Sequence, residues 1–137
     1  LAQALWLAMM QKILQKFGAQ SFGVMENYEA GELIVQFKYR ERPITIKASS
    51  KGYAALWLKE HPYNRNYKYP PIEHERRAVR VGQTAIYSVL RDWVKCQITA
   101  IECGILSFEG AFLGQIMLPS GRTVLEEIVE KKILRLE

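Results

Sequence analysis

Apolar and polar residues divide the chain into an amphipathic opening, an alternating middle and a long helical second half. Over 5–17 the apolar residues Leu5, Trp6, Met9, Met10, Ile13, Leu14 and Phe17 recur at helical spacing, with Gln11, Lys12, Gln15 and Lys16 between them. That pattern predicts a helix with a core-facing stripe, stopped by Gly18. Strand signals follow over 22–27, 32–40 and 43–48, separated by Tyr28-Glu29-Ala30-Gly31 and by a tight Glu41-Arg42 turn. The middle one alternates without a break: Leu33, Val35, Phe37 and Tyr39 fall on one face, Ile34, Gln36, Lys38 and Arg40 on the other. Ile44 and Ile46 continue the apolar face, leaving Thr45 and Lys47 beside Lys38 and Arg40. The expected unit is a three-stranded antiparallel meander with one basic, water-facing side. Ser49 and Ser50 are placed to cap a short helix over 51–60 bearing Tyr53, Leu56 and Trp57, which ends before His61-Pro62.

The organising stretch is 79–124. No proline or glycine interrupts 83–103, and Gly104 stands where a left-handed residue ends a helix. Ser88, Arg91, Asp92, Lys95, Thr99 and Glu102 form its wet face. Ile86, Val89, Leu90, Trp93, Val94, Gln97, Ala100 and Ile101 fill most of the other side. Ser107 caps a short helix carrying Phe108 and Phe112, and Ile116-Met117-Leu118 suits an edge strand. A Pro119-Ser120-Gly121-Arg122 turn follows. Thr123 and Glu126 make a capping box that opens a last helix through Leu125, Ile128, Val129 and Ile133.

The fold class expected is therefore α+β: a β-meander packed against an N-terminal helix, one long central helix and short C-terminal helices. One domain accommodates 137 residues, read as a first part over 1–60, a connector over 61–78 and a helical half over 79–137.

In the C-terminal third, Ile101-Glu102-Cys103-Gly104-Ile105, Phe108-Glu109, Phe112-Leu113, Ile116, Leu118-Pro119, Gly121 and Thr123-Val124 form a packing and turn motif. It resembles that of small uncharacterised proteins encoded by bacterial phages, plasmids and integrated mobile elements. The resemblance implies a mobile-element context and transfers no catalytic residue. Gly110 and Ser120 stand where that pattern has acidic residues, so it implies no acidic site here.

The hydrophobic fraction of 49% is ordinary for a globular chain. No apolar run approaches the roughly 20 residues of a membrane span, so no membrane partner is expected. The apolar opening lacks the basic flank and small-residue cleavage site of a secretory leader, and a cytoplasmic location is expected. Cys96 and Cys103 lie two turns apart on one helix, about 10 Å along its axis, beyond disulfide reach. They are expected to be reduced and partly buried.

The net charge of +5 gives this picture its functional content once its position is considered. Between 61 and 80 the chain carries Tyr63, Tyr67 and Tyr69 among Arg65, Lys68, Arg76, Arg77 and Arg80, with only Glu73 and Glu75 opposing. Cations follow phosphates and aromatic rings stack on bases, so this composition suits single-stranded nucleic acid. It also suits a connector pinned to the surface by its own tyrosines.

Catalytic signals are sparse. His61 and His74 have no third ligand at metal spacing, and there is no nucleophile elbow, phosphate loop or dinucleotide fingerprint. The pattern calls for no cofactor and no metal. Glu26 with Gln36-Phe37-Lys38 has only a three-residue likeness to the acid and Gln-x-Lys arrangement of metal-dependent nucleases. The leading expectation is a non-enzymatic nucleic-acid-binding module using Lys38, Arg40, Lys47, Arg65, Tyr67, Lys68, Arg76 and Arg77. The alternative is a protein-interaction or regulatory module, homodimeric through the Trp6 and Met9 helix or the C-terminal helix; the nuclease ranks third.

Overall fold

A computed structural model describes residues 2–133. Helix α1 (Ala2–Phe17) leads into strands β1 (Ser21–Asn27), β2 (Glu32–Tyr39) and β3 (Arg42–Ser49). Helices α2 (Lys51–Glu60), α3 (Pro71–Glu102), α4 (Phe108–Phe112) and α5 (Val124–Glu130) follow. The sheet is an antiparallel meander in the order β1-β2-β3, so the chain is α+β as its pattern predicts.

Alternation decides which face of the sheet is covered. Leu33, Val35, Phe37 and Tyr39 of β2 are buried with Ile44 and Ile46 of β3, against Trp6, Met10 and Leu14 of α1 and Leu90, Val94 and Ile98 of α3. Phe108, Ala111 and Phe112 close one end of this core. Two details of the helical stripes differ from expectation. Leu5 and Val89, predicted inward, are more than 60% exposed, and Ile98, absent from the predicted stripe, is buried. Cys96 and Cys103 are free thiols as expected, but exposed rather than partly buried.

The helix ends behave as their chemistry requires. Gly18 and Gly104 adopt left-handed φ values of 106° and 72° just past α1 and α3. The Ser107 hydroxyl accepts from the Gly110 amide, and Thr123 and Glu126 complete their capping box. Ser50 behaves differently: at the head of α2 its hydroxyl donates to the Gly31 carbonyl, tying that helix to the β1–β2 loop rather than capping it.

The long helix begins earlier than expected. α3 opens at Pro71, turning the second half of the predicted 61–78 connector into helix and making it 32 residues long, about 48 Å. Proline at the first helical position sacrifices no hydrogen bond, because that amide has no acceptor within the helix. Gly82 does not break the helix. It lets α3 lie close on α2, beside the Ser50 carbonyl and Ala54.

Candidate nucleic-acid interface

The connector, now 61–70, is built on a buried histidine. His74, in the first turn of α3, is 2% exposed. Its Nε2 faces the His61 carbonyl and so donates, and its Nδ1 is hydrogen-bonded to the Tyr69 hydroxyl at 3.0 Å. Both ring nitrogens are therefore satisfied, and the ring bridges the two ends of the connector. Trp57 of α2 packs on His61 and His74, with ring centroids 4.6 and 5.0 Å away. The Tyr63 hydroxyl donates to the Tyr69 carbonyl at 2.6 Å, and the Tyr67 and Tyr69 rings stack at 5.1 Å. Between them, Asn64 turns the chain: its side chain accepts from the Asn66 amide and its carbonyl from the Tyr67 amide.

The tyrosines are thus engaged with one another and with His74, while Tyr63 and Tyr67 remain 37% and 40% exposed. Arg77 lies with its guanidinium carbon 3.9 Å from the Tyr69 ring centroid and is a brace rather than a free cation. Glu73 takes up much of the remaining helix charge. Arg80 binds its carboxylate at 2.9 Å and Arg77 approaches at 3.9 Å. The Arg80 hydrogen bond, then the nearby positive charges of Arg80, Arg77 and Arg76, holds the Glu73 carboxyl below the usual range. Arg65, Lys68 and Arg76 have no carboxylate partner among the described residues and are exposed. Lys59, in the last turn of α2, shares that condition and was missed because it precedes the composition change at His61.

The sheet half of the predicted surface does not join this group. The β2–β3 turn is Arg40-Glu41, with φ of 49° and 66°, and not Glu41-Arg42. Moving a turn by one residue moves every cross-strand partner by two. Lys38 consequently faces Pro43, Thr45 faces Gln36 and Lys47 faces Ile34. Lys38 pairs with Glu41 at 3.1 Å and Lys47 with Glu126 of α5 at 3.0 Å. Thr45, expected to be wet, is 4% exposed. Arg40 sits in the hairpin turn, at the opposite end of β3 from the point where α2 departs toward the connector. The single basic sheet face is replaced by separate, neutralised pairs.

Trp6, offered as part of a partner-binding face, is 4% exposed, and its indole donates to the Tyr87 carbonyl inside the molecule. The nuclease-like set is also apart. Lys38 is opposite Ser21, five residues before Glu26 on β1, a separation of about 17 Å on opposite faces of the sheet. No group of three or more His, Cys, Asp or Glu among the described residues is placed to hold a metal ion. No described helix is long and apolar enough to cross a membrane. Comparison with protein-family models, with curated proteins and with solved structures finds no match.

Proposed function

We propose that the protein is a non-enzymatic nucleic-acid-binding module whose contact surface is the connector and the first turns of α3. The observation that carries this reading is the contrast between paired and unpaired cations. Lys38, Arg42, Lys47 and Arg80 meet carboxylates, while Arg65, Lys68 and Arg76 stand free on a segment held in shape by the Trp57–His74–Tyr69 cluster. A rigid scaffold lowers the ordering cost of binding, and cations without internal partners are available to phosphates. Tyr67, partly exposed beside them, offers a ring edge or face to a base. The tyrosines' mutual stacking makes phosphate contact the larger contribution, so binding is expected to be sequence-tolerant and in the micromolar range or weaker.

Chemical-shift mapping with a short single-stranded oligonucleotide tests the placement. Shifts concentrated over 59–80 are expected. Shifts confined to the sheet around Lys38 and Lys47, or none, would overturn it.

A further inference from the structure

The outer edge of β3 is met by the segment after α4, where Ile116 bridges Ile44 and the Met117 amide donates to the Pro43 carbonyl at 2.8 Å. Among the described residues, β1 has no backbone partner on its outer edge at any position. An edge strand carries a row of unpartnered N–H and C=O groups and is a template for another strand. We propose that this edge pairs with the same edge of a second copy of the chain about a two-fold axis, joining two three-stranded sheets into one.

Register and shape agree on one arrangement. The midpoint of Ser21–Asn27 is Val24, so the antiparallel register that pairs the whole strand sets Val24 against the partner's Val24. The same register sets Met25 against the partner's Gly23. Met25 is 59% exposed on the open face of the sheet, and Gly23, on that face, has nothing within 4 Å of where a side chain would begin. Each Met25 then covers backbone that the partner's Gly23 leaves bare, at the short distance of directly opposed residues.

Charge selects the same arrangement. Three residues join α1 to β1, so Lys12 and Lys16, in the second half of α1, lie toward the Ser21 end of the edge. Glu26, Glu29 and Glu32 lie toward the Asn27 end. None of these five has an ion-pair partner among the described residues. Antiparallel pairing brings the acidic end of each copy to the basic end of the other, twice per dimer, whereas parallel pairing would oppose like charges. An open groove of about 530 Å³, lined by Leu7, Phe22, Val24, Tyr28 and Tyr87 together with Gln3, Gln11 and Glu26, lies beside the edge and leaves apolar surface there for the second copy to cover.

Sedimentation equilibrium of the full chain up to roughly 200 µM, at low and high salt, tests the pairing. A monomer–dimer equilibrium that weakens with salt is expected. Met25→Lys, Lys16→Glu and Glu29→Lys should each raise the dimer Kd by about tenfold or more, and Lys16→Glu with Glu29→Lys together should restore it to within about threefold of the parent. All three positions are exposed, and thermal melts by circular dichroism verify that each variant folds. A monomer at every concentration, a dimer indifferent to Met25→Lys, or a double variant no better than the singles would overturn the proposal.

Discussion

Gly82→Ala sets two physical effects against each other. Alanine is the better helix former by about 1 kcal/mol, so propensity alone makes the variant more stable. The structure opposes this. A Cβ at Gly82 would lie 2.7 Å from the Ser50 carbonyl oxygen and 3.2 Å from the Ala54 amide nitrogen, inside the 3.4 Å where ordinary contact begins. Both obstacles are backbone, so no side chain can swing aside. The Ser50 carbonyl also accepts the Ala54 amide at 3.1 Å in the first turn of α2, and turning it away forfeits about 1 kcal/mol. Overpacking of this kind costs about 1–3 kcal/mol. After the propensity gain is subtracted, Gly82→Ala is expected to lose about 1–3 kcal/mol. Gly52→Ala, in α2 with nothing within 4 Å, is the control and should gain about half a kcal/mol. Urea denaturation followed by circular dichroism reads both. If Gly82→Ala matched or exceeded the parent, the close crossing of α2 and α3 would be refuted.

His74→Ala should cost about 2–4 kcal/mol, since it removes a buried ring satisfied at both nitrogens. Trypsin should then cut after Arg65 or Lys68 at a markedly higher rate under native conditions, and an unchanged rate would contradict the role of His74 as the connector's anchor. Thr123→Ala should cost about 1 kcal/mol through loss of the α5 cap, read by thermal denaturation. The Thr123 amide, and then Lys47, hold the Glu126 carboxyl below the usual range. Its folded value therefore lies below its unfolded value. Its contribution is complete above about pH 4.3 and is lost as pH falls through the folded value. Glu126→Gln should accordingly flatten the acid limb of stability against pH; an unaltered limb would assign acid sensitivity elsewhere. Arg40→Asn should stabilise the hairpin by about 0.5–1 kcal/mol, because asparagine accepts the left-handed backbone more readily than arginine; chemical denaturation decides the sign.

The meander was legible because β2 alternates without exception, and alternation determines which face is buried. The caps at Ser107 and Thr123 were legible because they are local. What failed was register. The Arg40-Glu41 turn contains neither glycine nor asparagine, so nothing in its composition marks two left-handed residues. It is held from outside by Gln20, whose side chain accepts from the Glu41 amide at 2.8 Å and donates to its carboxylate at 2.6 Å. A shift of two leaves Lys38, Thr45 and Lys47 on the face that alternation assigns them; the face loses its charge because Lys38 and Lys47 pair with Glu41 and Glu126 and Arg40 passes into the turn. The ion pairs of Lys47 with Glu126 and of Arg42 with Glu109 join residues far apart in the chain, which no local pattern reveals. In the candidate surface, composition located the charge and the tyrosines. It did not show that His74 would be buried among the rings, nor that Pro71 would start the helix and carry Arg76 and Arg77 with it.

Fluorescence anisotropy of labelled single-stranded and double-stranded oligonucleotides across a salt series tests the nucleic-acid reading most directly. Three phosphate-contacting cations on a single strand correspond to a slope of log K against log salt near −2, each cation contributing about 0.7. The parent should bind with a slope of about that size, Arg76→Ala should reduce it by about 0.7, and replacing Arg65, Lys68 and Arg76 together should abolish measurable binding. Absence of binding at low salt, or binding whose slope survives the triple replacement, would contradict the account.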